Sequence, residues 1–170
     1  GVDFRPTSNV EVSFGTGYNR TFGARRWVEN VDGDAGTESI FASLYKDQIS
    51  PSISASLMVH RNLSIQLSGQ AFIAGLDYQH PQTYLGGNNY ADRDDIPEEY
   101  YDYNYSAMNS SLIMRWEYRP GSTMYLVWTR SRPEIDDTAN NLDLSRDLNR
   151  LFSSGSRNIF LIKASYWWNL

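Results

Sequence analysis

The densest cluster of chemistry-bearing side chains lies between Tyr90 and Tyr105, where Asp92, Asp94, Asp95, Glu98, Glu99 and Asp102 are interleaved with tyrosines. Carboxylate oxygens at this density are the ligand type that Ca²⁺ takes. Asp92, Asp94, Asp95, Glu98 and Glu99 are therefore the candidate metal ligands. The run Asp92-Arg93-Asp94-Asp95-Ile96-Pro97 lacks the turn glycine of an EF-hand, so a solvated acidic loop is the plain alternative. Tyrosines beside carboxylates also suit glycan recognition: the ring stacks on a sugar face and the carboxylates accept from its hydroxyls. The only histidines are His60, beside a tight turn, and His80, which precedes Pro81. A histidine-based triad or metal cluster would need partners supplied by the fold, and no catalytic residue or cofactor is assigned. Cysteine is absent, which excludes disulfides and thiolate metal sites.

The elements that must position these residues are strands. Val10, Val12, Phe14, Thr16 and Tyr18 alternate with Glu11, Ser13, Gly15, Gly17 and Asn19. The odd positions of 49–59 are almost all apolar and oppose Ser50, Ser52, Ser54 and Ser56. Leu63, Ile65 and Leu67 oppose Ser64, Gln66 and Ser68. Similar patterns run through 108–118 and, less cleanly, 123–129, and the end of the chain reads Phe160, Ile162, Ala164, Tyr166, Trp168, Leu170 on its even positions. Weaker strands are expected near Arg25–Val31 and Glu38–Asp47. The total is about eight, several as long as the ~9–11 residues that a tilted membrane strand needs. A strand with one apolar and one polar face requires two different surroundings.

The connections alternate in length. His60-Arg61-Asn62 and Arg119-Pro120-Gly121-Ser122 read as tight turns, whereas about 79–104 and about 132–156 read as long polar loops. Short turns at one end and long loops at the other mark an outer-membrane barrel, with the short turns periplasmic and the long loops extracellular. The fold expected is all-β: an antiparallel transmembrane β-barrel in a single unit, 1–170, with its C-terminus periplasmic. Residues 141–152 carry leucines at helical spacing and are expected to form a short amphipathic helix on the rim or in the lumen. Phe4-Arg5-Pro6-Thr7-Ser8 repeats Tyr118-Arg119-Pro120-Gly121-Ser122 in kind. Residues 1–5 then read as the tail of an earlier strand, and the chain as the C-terminal part of a larger barrel whose further strands come from upstream or from another envelope protein.

Composition agrees with this class. The chain has 170 residues, a net charge of −5, 21% charged and 14% aromatic residues, and a mean hydropathy of −0.52. No run approaches the ~18 apolar residues of a transmembrane helix, which is normal for a barrel because half of each strand is polar. The negative charge argues against nucleic acid as a partner. No initiator Met or leader is present, which reads as a removed leader or as one piece of a longer chain.

In the barrel reading, Arg115, Glu117, Arg119 and Lys163 face the lumen, as a charge-paired wall or a pore lining. Trp116, Tyr118, Trp128, Tyr166 and Trp168 face outward into the lipid interface. A soluble ligand-binding barrel of lipocalin type would reverse the two faces and bury those aromatics inside.

Arg115-Trp116-Glu117-Tyr118-Arg119-Pro120-Gly121-Ser122-Thr123, then Tyr125-Leu126-Val127-Trp128, with Leu63-Ser64-Ile65-Gln66-Leu67 and the block Asn158–Trp167, resemble a domain of Bacteroidota-type envelope proteins. That domain, of unknown function, follows a carbohydrate-binding family-nine-like β-sandwich. The resemblance covers nearly the whole chain, most sharply 49–78 and 112–132, and implies a bacterial outer-membrane barrel. The acidic tyrosine-rich loop departs from it, and no glycan-binding or catalytic residue is carried over. Asp137-Thr138-Ala139 is similar to the short O-glycosylation acceptor of such proteins, which points to Thr138. The function expected is a non-catalytic one, an envelope anchor or a component passing small or glycan-derived solutes with the lipid bilayer as partner. The alternatives are the lipocalin-type binding barrel and an outer-membrane hydrolase with its site on the extracellular loops.

Overall fold

The computed structural model describes residues 1–33, 36–136, 141–153 and 155–168. Eight antiparallel strands form one sheet: β1 (Val2–Thr7), β2 (Val10–Gly33), β3 (Gly36–His60), β4 (Leu63–Gly86), β5 (Asn89–Asp92), β6 (Tyr103–Arg119), β7 (Ser122–Asp136) and β8 (Arg157–Ala164). Their order is β1-β2-β3-β4-β6-β7-β8, with β5 paired to β4 off this path. The sheet is not closed: β1 and β8 are its two edges. Closure, expected from the sequence, is thus not observed within the chain. Every residue of β1 and β8 is exposed.

The strand count agrees with expectation, but the strands are differently cut. The weak strands expected near 25–31 and 38–47 are the far halves of β2 and β3, which run 24 and 25 residues without a break. Bulges obscure this in the sequence. Between Thr21 and Ala24, β2 inserts a residue against β3, with Gly23 at φ +57°, and it does so again between Trp27 and Glu29. Each insertion resets the period-2 pattern. β4 likewise bulges opposite Phe41–Ser43, next to His80 at φ +54°. It continues to Gly86, so the connection expected at about 79–104 begins later and holds β5 and a 3₁₀ turn, Glu98–Tyr101. The tail 1–5 does belong to a strand, β1, which turns at Ser8-Asn9 into β2 as Pro120-Gly121 turns β6 into β7. Gly121 holds φ +75°, and a Cβ there would meet the Trp167 side chain at 3.0 Å.

One helix, α1 (Leu144–Ser153), forms where the leucine spacing predicts it. Asp143 caps it: Oδ1 accepts from the backbone N–H of Ser145 at 3.0 Å and of Arg146 at 3.1 Å. Asp147 Oδ2 accepts in return from the Asp143 N–H at 3.1 Å, a reciprocal arrangement that satisfies otherwise orphan donors. The helix docks on β6 and β7. Leu151 and Asp147 are each 1% exposed, Asn104 Nδ2 donates to Asp147 Oδ2 at 3.2 Å, Arg132 Nη1 donates to the Leu151 carbonyl, and Arg150 pairs with Asp136. Asn104 has the same parity as Leu112 and Trp116 on β6, so α1 covers the far end of the apolar face and not the opposite face.

The Arg146 backbone N–H, followed by the Ser145 hydroxyl, holds the Asp143 carboxyl below the ordinary carboxylate range. A lowered folded-state pKa gives stabilisation that is present above the unfolded value and lost as pH falls through the folded one. Asp143→Ala is expected to speed amide exchange across Leu144–Ser153 several-fold at neutral pH, with Asp143→Asn nearly neutral. In the parent chain the same protection falls as pH drops below the usual aspartate range. Hydrogen exchange read by mass spectrometry checks both, and unchanged exchange in Asp143→Ala contradicts the capping role.

Candidate functional site

The register stacks like residues into rows across the sheet. Ser13 pairs with Ser54, Ser54 with Ser68, Ser68 with Ser111, and Ser111 with Thr129. Five strands thus place five hydroxyls in one line, and Ser68 and Ser111 hydrogen-bond through their Oγ atoms at 2.8 Å. The next row reads Gly15, Ser52, Gln70, Asn109 and Ser131. Side chains two residues apart share a face, so both rows lie on one side of the sheet. That side is concave: a groove of about 590 Å³ is lined by residues of these rows from β2 to β7, and a flat sheet offers no such groove.

The opposite face carries the apolar set. Val10 aligns through Leu57, Ile65, Met114 and Leu126 with Ile162, and Val12 through Ala55, Leu67, Leu112 and Trp128 with Phe160. Phe14, Ile53, Leu67, Trp116, Phe160 and Ile162 are 51, 39, 39, 43, 76 and 71% exposed. No layer covers them among the described residues. The buried apolar residues, Ile40, Ala42, Leu44, Ile73, Ala74, Leu76 and Leu151, all lie in the far half of the sheet or in α1.

This apolar band is slanted against the hydrogen-bonded rows. It spans Val10–Tyr18 on β2, 63–71 on β4 and, continuing past β8, Phe160–Trp168. Its midpoint is Phe14 on β2 and Ala164 on β8, yet the row of Phe14 meets β8 at Asn158. The drift is about six residues, or ~20 Å along the strand, over about five inter-strand steps totalling ~24 Å. The corresponding angle is ~40°, inside the ~35–45° tilt of strands in membrane barrels.

The aromatics expected to face lipid fall on this apolar face in clusters. Trp116 and Tyr118 lie 6.1 Å apart and Tyr166 and Trp168 6.3 Å apart between ring centroids, both edge-on, while Trp128 stacks on Phe160 at 6.3 Å. Backbone bonds between Thr123 and Ser165 carry the pairing one residue beyond β8. Arg115 and Lys163 share one row of the concave face through Tyr125, and Arg115 pairs with Glu117 at 3.6 Å. Arg119 leaves that set. A register shift separates it from Glu117, and its Nη1 donates to the Tyr166 hydroxyl at 3.1 Å instead of joining the other charges. Thr138 lies outside the described residues.

The acidic loop crosses the far end of the concave face. Arg93 organises it: Nε and Nη2 donate to the two carboxylate oxygens of Asp95 at 2.7 and 2.8 Å, and Nη1 donates to Glu38 at 2.8 Å and to Thr83 at 3.1 Å. The Tyr101 hydroxyl donates to Glu29 at 2.6 Å, and Asp102 accepts from the Tyr78 N–H at 2.6 Å. The strong pairing raises the Arg93 pKa and lowers that of Asp95; burial, then Glu29, pushes the Tyr101 phenol well above its ordinary value. The candidate Ca²⁺ ligands do not converge on one point. Among the described residues no three acidic or histidine side chains come together as a metal set. The reason is local: Arg93 takes Asp95, and Asp92 accepts from Gln82 Nε2 at 2.7 Å. Neither Arg93 nor Glu29 stood out in the sequence, because the contacts join residues 55 and 72 positions apart. Arg93→Ala is expected to raise amide exchange of residues 87–102 while leaving that of 62–70 unchanged; exchange of 87–102 equal to that of the parent chain contradicts the pinning.

No curated protein and no solved structure matches the chain. One family model does, across residues 1–169. The chain belongs to the family described as Domain of unknown function (DUF5916).

Proposed function

We propose that this chain forms a wall of a β-barrel in the bacterial outer membrane, with its apolar face in lipid, its hydroxyl-lined face toward water, and the tight turns and the C-terminus on the periplasmic side. Its role is non-catalytic: to anchor an envelope protein or to pass small or glycan-derived solutes. The observation that carries this reading is the slanted band. A soluble barrel of lipocalin type lines its concave face with apolar residues; here the rows of Ser13 and Gly15 are mostly serine, glutamine and asparagine, and nearer the turns the same face carries Glu11, Arg115 and Lys163 beside Ile113 and Val127. An apolar stripe tilted by ~40° to the hydrogen-bonded rows suits strands inclined to a bilayer normal. β2 and β4 each offer about nine residues to it, the length a ~30 Å hydrocarbon layer requires.

The far halves of β2, β3 and β4 extend past the band and bury Ile40, Ala42, Leu44 and Leu76, so this reading places them outside the membrane with α1 and the acidic loop. The open edges β1 and β8 take further strands, from the same polypeptide or from another envelope chain. Exposed edges of this kind are otherwise aggregation templates.

Two neighbouring substitutions test the assignment of faces. Leu67→Lys, on the band, is expected to destabilise the folded protein in lipid by about 2–4 kcal/mol, the cost of a lysine near the bilayer midplane. Ser68→Lys, on the concave face, costs little. Denaturant unfolding in lipid vesicles reads both. A soluble barrel gives the opposite order. The parent chain is also expected to stay with the membrane after high-salt and carbonate washes and to leave it only in detergent; release by the washes alone would sink the membrane reading.

A further inference from the structure

Beyond the hydroxyl rows, the same concave face changes character within one step. The row of Gln70 and Asn109 is followed by the row of Phe72 and Ala107, and then by that of Ala74 and Tyr105. Phe72 and Tyr105 meet edge-on at 5.8 Å between centroids, and Tyr78 stacks on Tyr103 at 6.4 Å. Phe72, Tyr103 and Tyr105 remain partly exposed and line a second groove, about 660 Å³, that abuts the first. Between the row of Ser13 and the row of Tyr105, the paired residues of β2 to β7 on this face are uncharged; at the far end Lys46 lines the second groove and its Nζ donates to Gln48 Oε1, in the row of Tyr105, at 3.1 Å. The groups within the rows are neutral donors and acceptors on one side and aromatic and apolar side chains on the other.

We infer that this concave face is a binding track for a neutral oligosaccharide. A sugar ring presents apolar C–H faces and a rim of hydroxyls, and the track offers both complements in that order: Phe72 and Tyr105 for the ring faces, then Gln70, Asn109, Ser68 and Ser111 for the hydroxyls. The two grooves have the size of small-ligand sites. Apart from the Lys46 ammonium at the far edge, which Gln48 engages, the rows offer no fixed charge, so an ionic solute lying along them would lose hydration without a counter-charge over most of its length. This assignment rests on the concave face being the wetted one, as in the proposed function, and names the solute class that face accepts.

The test is titration calorimetry of the full chain in detergent micelles with maltohexaose, cellohexaose and, as the charged control, hexagalacturonate. Saturable binding of at least one neutral hexasaccharide is expected, tighter than that of the control. Tyr105→Ala and Phe72→Ala should each weaken it about tenfold, Gln70→Ala by less, and Tyr105→Phe should retain it, which separates loss of stacking from loss of fold. The inference is overturned if no neutral hexasaccharide binds saturably, if the control binds as tightly, or if both aromatic variants bind like the parent. Membrane retention without sugar binding refutes this inference alone; sugar binding by a chain that needs no detergent refutes the membrane reading and leaves the track.

Discussion

The arrangement depends on strand register. A strand points alternate side chains to opposite faces, and a slip of one residue would exchange the faces. In this chain every ladder from β2 to β7 has the same parity through the turn-proximal half, so Ser13, Ser54, Ser68, Ser111 and Thr129 fall on one side while Val12, Ala55, Leu67, Leu112 and Trp128 fall on the other. The two-residue turns Arg61-Asn62 and Pro120-Gly121, each with one bulge beside it, between Met58 and His60 and between Glu117 and Arg119, fix this parity for β3–β4 and β6–β7. The groove and the band both follow from it.

The two halves of the sheet are stabilised differently. In the far half a small core forms in the ordinary way: Ile40, Ala42 and Leu44 are at most 7% exposed, and the loop held by Arg93 and Tyr101 lies over the same face. In the near half the apolar side chains have no protein cover among the described residues. Contiguous exposed apolar surface on this scale marks an interaction surface, and the proposed lipid phase would supply the missing environment without a second layer of protein. A carbohydrate track on the concave side costs this arrangement nothing, since water and sugar hydroxyls satisfy the same serine and glutamine side chains.

Much of the near half was legible in the residues. Alternation, tight turns and the leucine spacing of α1 are local signals, and the strand class, the polar and apolar faces and the helix follow from them. The far half was not, for identifiable reasons. Bulges at Gly23, Val28 and near His80 reset the period, so single long strands read as pairs of short ones. The acidic loop read as a metal candidate because spacing says nothing about which cation arrives first; Arg93, inside the loop, satisfies Asp95 and Glu38. Arg119 followed the parity of Arg115 in the sequence and departs from it in the fold because a bulge intervenes. The aromatic end of the concave face was hidden as well: Phe72 and Tyr105 sit 33 residues apart in the chain, and only the β4–β6 ladder brings them edge-on.

The central claim is that the two faces of the near half meet lipid and water, respectively. The chain contains no cysteine, so single cysteines placed in turn at positions 64 to 68 report one site each. With the protein in vesicles, cysteines at positions 65 and 67 should carry a fluorophore quenched by brominated lipid, and those at 64, 66 and 68 should react with a membrane-impermeant thiol reagent on whichever side it has access. Two-residue alternation in this phase is the predicted result. The opposite phase, or equal reactivity of all five positions with no lipid quenching, would contradict the account.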